Sequence, residues 1–149
     1  MISSSSNQPA IDADALSGHV IVAGYGIPGR AVGELLKARK TQYCVIELNA
    51  AVVQRCEHVV PIIEGDVTDE QVLRRAGVER CSLLALTVPG DAAVLQAIQI
   101  ARRMNPKVPI IARCRFISSG MEAHRKGANQ VVIEEQVVAD EFVRLLNRI

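Results

Sequence analysis

The chain has 149 residues, of which 49% are hydrophobic and 22% charged. That is the size of one ordinary globular domain, with enough apolar bulk for a full core, and it excludes a chain disordered throughout. Seventeen Lys and Arg face sixteen Asp and Glu, for a net charge of +1, and aromatic residues are 3% with no Trp. This balance lacks the basic surplus and the stacking platforms of a nucleic-acid binder.

The first seventeen residues, MISSSSNQPAIDADALS, carry neither a basic n-region nor an apolar h-region and read as a disordered tail or linker. The folded domain is expected over 18–149. No run approaches the roughly 20 apolar residues that cross a bilayer, so no membrane insertion by this chain is expected. Cys44, Cys56, Cys81 and Cys114 form no CxxC pair. They read as reduced, small hydrophobes in a cytoplasmic setting, not as a zinc site or a disulfide framework.

From residue 19 onward, short branched apolar runs alternate with helical patterns. Strands are expected over 19–24 (HVIVAG), 41–48 (TQYCVIEL), 59–63 (VVPII), 82–88 (SLLALTV), 108–113 (VPIIAR) and 130–133 (QVVI). Pro61 argues that the third is an edge strand or begins there. Helices are expected over 28–38, 50–56, 68–76, 91–104, 119–126 and 135–148. In the first, Ala31, Leu35 and Ala38 share a stripe with Val32 and Leu36 beside it. In the fourth, Val94, Ala97, Ile98, Ala101 and Met104 share a face. Six strand-helix alternations, with strands apolar on both faces, predict an α/β fold. It is a Rossmann-like, doubly wound, mostly parallel six-stranded sheet with helices on both faces, in order 3-2-1-4-5-6.

The chemistry gathers at the strand ends. Gly24-Tyr25-Gly26-Ile27-Pro28-Gly29 follows the first strand and opens the first helix, the context in which GxGxxG has meaning. Gly24 permits a tight turn, Gly26 the approach of a phosphate, and Gly29 close helix packing, with the anion on free N–H groups of the helix N-terminus. A purely structural glycine turn is the alternative. Pro28 removes one N–H but suits a first turn, while Arg30 either adds charge to the phosphate site or faces water. Glu47 ends the second strand, where a carboxylate accepts the hydroxyls of an adenosine ribose and repels a 2′-phosphate. A solvated acid is the alternative there. Asp66 follows Gly65 at the end of the third strand and borders the adenine end, whereas Thr68 or Asp69 caps the next helix. Thr87 ends the fourth strand beside the glycine loop, where its hydroxyl reaches a phosphate or ribose, and Arg113 ends the fifth. His19, His58 and His124 are scattered, and no Ser-His-Asp order, Cys-His pair or HExxH is present. No enzyme activity is expected.

These segments resemble the RCK or KTN family, also described as the TrkA N-terminal domain, of potassium channels, potassium uptake systems and potassium/proton antiporters. The resemblance runs from Gly18 to Glu134. It rests on HVIVAGYGIPGRAVGELL, VIELN, GDVTDEQVLRRAGVERC, DAAVLQAIQIARRMNP, VPIIARC and GANQVV. It implies a regulatory module that binds NAD(H), AMP, ADP or ATP. The implied ligand contacts are Gly24, Gly26, Gly29, Glu47, Asp66, Thr87 and Arg113, with Tyr25, Ile27, Pro28, Arg30, Leu48, Gly65, Val67 and Val88 around them. Ile27 stands where the family often has Arg, which implies weaker diphosphate binding or a shifted ligand preference. No metal site is expected. The resemblance also implies a homodimer or higher oligomer joined to a membrane-embedded channel or antiporter partner, at the inner face of the membrane. In the last helix, Val138, Phe142, Leu145 and Ile149 form a stripe with Val137 and Leu146 beside it. Either the helix's own sheet or a partner must cover that stripe. A small NAD-dependent oxidoreductase and a ligand-free assembly scaffold are the competing functions.

Overall fold

The computed structural model describes residues 15–149, so the tail expected over 1–17 lies largely outside them. Six parallel strands form one sheet in the order β3-β2-β1-β4-β5-β6, as the alternation predicts. The elements are β1 (Val20–Ala23), α1 (Ile27–Ala38), β2 (Tyr43–Glu47), α2 (Ala50–Cys56), β3 (Ile62–Glu64), α3 (Glu70–Arg75), β4 (Leu83–Leu86), α4 (Asp91–Met104), β5 (Ile110–Cys114), α5 (Ile117–Lys126), β6 (Gln130–Ile133) and α6 (Glu134–Leu146).

Successive residues of a strand face opposite sides of the sheet, and the two sides here build two cores. Ile21, Ala23, Cys44, Ile46, Leu84, Leu86, Ile110 and Ala112 pack with Leu73 of α3, Val94 and Ile98 of α4 and Ala123 of α5. Val20, Val22 and Val45 pack with Tyr25, Leu36 of α1 and Cys56 of α2. The second layer covers only part of its face. On β6, Val132 is 48% exposed, while Val131 packs against the first core. All four cysteines are free and buried. Burial pushes the Cys44 thiol up to about 12, with the nearby Cys81 adding to the effect.

Three local expectations need correction. The face that α1 buries is not Ala31, Leu35 and Ala38. It is Gly29, Gly33 and Leu36, and Leu35 is 49% exposed. A helix that rests close on a sheet selects small residues at the contact, so its inner face is marked by glycine as well as by Leu36 and Val32, which were expected beside the stripe. The third strand begins at Ile62, not at residue 59, and Val59 is exposed. Pro61 has no N–H, so only its carbonyl joins the ladder, accepting from Val45 N–H at 2.7 Å. The third helix begins at Glu70 and not at residue 68, because Asp66 holds Thr68 in a turn and Asp69 caps the helix by accepting from Gln71 N–H at 2.8 Å.

His19 precedes β1 and is fully buried at the end of the sheet opposite the glycine loop. Its Nε2 lies 2.7 Å from the Ala76 carbonyl, and its Nδ1 has no partner. With a carbonyl as the neighbour, Nε2 carries the proton and donates.

Candidate functional site

The strand order reverses between β1 and β4, and the loops leaving them separate at the carboxyl edge of the sheet. This is the place where doubly wound sheets open a crevice. Here the crevice is a cleft of about 1090 Å³. Its walls come from the glycine loop, the end of β2, the 65–68 turn, the 87–89 segment, the first turns of α4, and Arg113 of β5.

The glycine loop is built by two close approaches. Gly24 has φ +104°, and a Cβ there would lie 2.8 Å from Val88 N. A Cβ on Gly29 would lie 1.8 Å from the Gly24 carbonyl oxygen and 3.0 Å from Thr87 Oγ1. The start of α1 therefore rests directly on the loop, and only glycine allows it. Gly26 differs: a Cβ there would meet nothing within 4 Å. That open space faces the cleft at the N-cap of α1, where no side chain caps the helix. The first-turn N–H groups of Ile27 and Gly29 lie outside the intrahelical ladder, Pro28 has none, and the helix dipole adds positive potential at this end.

Thr87 holds the loop from the β4 side. Its hydroxyl is 2.9 Å from both the Ala23 and the Gly24 carbonyl oxygens, so its proton is shared between backbone acceptors and is not free for a ligand. Glu47 faces the loop from the β2 side. Tyr25 N–H donates to its Oε1 at 3.0 Å and Asn49 N–H to its Oε2 at 2.9 Å. Each carboxylate oxygen keeps a lone pair for a further donor, such as a hydroxyl. Asp66 accepts from Thr68 N–H at 2.8 Å and from Thr68 Oγ1 at 2.7 Å. These two hydrogen bonds hold its carboxyl below the usual carboxylate range. Arg113 Nε donates to Glu134 Oε1 at 2.5 Å and its Nη1 to the Thr87 carbonyl at 3.0 Å.

The residues singled out from sequence all line this cleft except Gly29, which is buried behind the loop, and Arg30. The Arg30 guanidinium lies over the Tyr25 ring, 5.7 Å from its centroid. Asn49, Thr68, Pro89, Ala92, Ala93 and Gln96 also line the cleft and were not anticipated. The small pair Ala92-Ala93 on the first turn of a helix that follows β4 is the signal that could have found the α4 wall. Among the described residues, no cluster of His, Cys, Asp and Glu is placed to hold a metal ion.

The glycine loop, the acid-ended β2 and the 65–69 turn all fall within residues 20–134, the span matched by the TrkA-N domain model. The chain belongs to the TrkA-N domain family. TrkA-N domains are regulatory and not catalytic. This TrkA-N domain is 31% identical over 125 residues to KefB of Alkalimonas amylolytica, a protein named as a K(+) efflux antiporter, with 83% of this chain and 19% of that protein covered. It superposes on the crystal structure of the TrkA-N domain of the Escherichia coli inner membrane protein YbaL with a TM-score of 0.85. The identity there is 31%, covering 89% of this chain and 98% of that one. The fold also matches the Shewanella denitrificans Kef C-terminal domain in its AMP-bound form, with a TM-score of 0.72 and 24% identity over 86% of this chain and 80% of that one. The chain spans about a fifth of the length of the curated relatives it matches first.

Proposed function

We propose that this TrkA-N domain is a ligand-sensing module that regulates potassium transport or potassium/proton antiport, with an adenine nucleotide or NAD(H) as the ligand. The observation that carries the reading is the pairing across the cleft of two features. Glu47 is oriented by the Tyr25 and Asn49 N–H groups with lone pairs to spare, and the Gly26 loop leaves open space at an uncapped helix N-terminus. The first suits ribose hydroxyls and the second a phosphate. The AMP-bound Shewanella Kef domain supports the ligand class, and the antiporter relatives support the setting.

The module works as a dimer at the inner face of the membrane, beside an embedded transport partner. Among the described residues no helix is long and apolar enough to cross a membrane. Support for the dimer comes from α6, which has no buried residue; Val138 is 55% and Phe142 66% exposed. Its own sheet does not cover the stripe, so packing within the monomer, one of the two expectations for this helix, is not what is observed. A continuous apolar helix face beside an uncovered strand face is the surface a second copy requires. The ligand then acts by binding one arrangement of the pair more tightly than another.

Calorimetric titration with AMP, ADP, ATP, NAD, NADH and NADPH tests the ligand class. Saturable binding of at least one is expected, with NADPH weaker than NADH because Glu47 repels the 2′-phosphate. No binding of any of them at millimolar concentration overturns the reading.

A further inference from the structure

Phosphate sites in nucleotide clefts ordinarily rely on Lys or Arg as well as backbone N–H groups. In this cleft, among the described residues, Arg113 is the only Lys or Arg in the lining, and it is already committed. Its Nε donates to Glu134 Oε1 at 2.5 Å and its Nη1 donates to the Thr87 carbonyl at 3.0 Å. The Arg113 and Glu134 side chains are 28% and 38% exposed, so this pair is less screened than one on the open surface. Glu47 and Asp66 add two carboxylates to the same cleft. Arg30, the basic residue next to the glycine loop, stacks on Tyr25 outside the lining. The cleft therefore offers a phosphate the first turn of α1, short of one N–H at Pro28, and no uncommitted cation for a longer phosphate chain.

We propose that Glu134 is a specificity-determining residue of this cleft. By neutralising Arg113 it restricts the site to adenosine ligands of low phosphate charge, AMP ahead of ATP. The inference rests on the adenosine-ligand reading above. It also ties the cleft to the exposed last helix, because Glu134 is the first residue of α6. A phosphate that takes Arg113 removes the contact between the root of that helix and the cleft.

The test is titration of AMP and ATP, without divalent cations, into the whole chain and into Glu134→Gln, Glu134→Ala and Glu135→Gln. Glu135 is the control, because its Oε2 accepts from Ile117 N–H at 3.1 Å and it has no hydrogen bond to Arg113. A merely structural disturbance at the base of α6 weakens both ligands alike, so the ratio of the two affinities is the readout. In the wild-type chain AMP binds more tightly than ATP. In both Glu134 variants the ATP affinity rises relative to AMP by roughly fivefold, the scale of a partly exposed charge contact, and in Glu135→Gln the ratio stays at the wild-type value. If AMP binds but the ratio is the same in the wild type and both Glu134 variants, or if ATP binds the wild type better than AMP, the role of Glu134 is wrong while the adenosine reading stands. If neither ligand binds the wild type, both fall.

Discussion

Replacing Gly29 with Ala isolates the close approach on which the glycine loop depends. The added Cβ would stand 1.8 Å from the Gly24 carbonyl oxygen and 2.8 Å from its carbonyl carbon. A carbon and an oxygen in contact need more than 3 Å, so either α1 or the loop must move by over an ångström, on the order of what overpacked cores show. Neither partner is a flexible side chain. The obstacle is backbone that is pinned by Thr87 and by the Gly24 N–H bond to the Ile46 carbonyl at 2.8 Å. The cost therefore falls at the upper end of overpacking, about 3 kcal/mol, which lowers Tm by roughly 10 °C for a domain of this size. Gly26→Ala is the counterpart, since its Cβ meets nothing within 4 Å and its φ of −77° suits any residue. That variant keeps Tm within about 2 °C, and its methyl group occupies the space proposed for the phosphate, so it loses ligand affinity. Thermal unfolding by circular dichroism, paired with nucleotide titration, separates the two effects. A Gly29→Ala protein with wild-type Tm would refute the packing argument. A Gly26→Ala protein that binds nucleotide as well as the wild type would refute the assignment of that space.

Further outcomes follow from the same geometry. Phe142→Asp places a charge in the exposed stripe of α6 and is expected to convert a dimer to a monomer in light scattering while the circular dichroism spectrum stays that of the folded wild type, with Tm falling only by the lost contribution of association; a dimer that persists moves the interface off this helix. The raised thiol of Cys44, pushed to about 12 by burial, stays protonated at pH 8, so a thiol-reactive disulfide reagent labels the native protein slowly and all four cysteines after denaturation. Fast labelling of Cys44 in the native state contradicts that. Burial raises the Asp91 carboxyl, but hydrogen bonds from Ser119 and from the Arg115 and Phe116 N–H groups outweigh it and hold the group below its ordinary value. A depressed carboxylate stabilises above the unfolded value near 3.9, and that contribution is lost as pH falls through the folded one. Asp91→Asn is thus less stable than the wild type by about 1 kcal/mol at pH 7, and the gap closes as pH drops below about 4; a gap of constant size removes Asp91 from the acid response.

The topology was legible because the strands are apolar on both faces and alternate with helices, which leaves few ways to wind the sheet. The wall from Gly24 to Asp66 was legible for a related reason: each of its residues ends a strand, and strand ends converge in this fold. What escaped reading depended on contacts distant in sequence. Nothing near Arg113 announces that its charge is met by Glu134, 21 residues further on, and nothing near Thr87 announces that its hydroxyl is spent on the Ala23 and Gly24 carbonyls. On the inner face of α1, Gly29 was legible from the glycine motif and Leu36 from the apolar pattern, whereas Gly33 carries no hydrophobic signal and the Ala31, Leu35, Ala38 stripe faces outward. The exposure of α6 was undecidable from its stripe, since an apolar face looks the same whether its own sheet or a partner covers it.

In the proposed function an adenosine ligand occupies the cleft between the glycine loop and Glu47, and backbone amide shift mapping during titration with AMP tests that occupancy. The expected result is saturable change concentrated at Tyr25 and Gly26, at Asn49, at Asp66 to Thr68 and at Thr87 and Val88, and abolished together by Gly26→Ala. Absence of change at these amides, or change confined to the opposite edge of the sheet around His19 and Ala76, would contradict it.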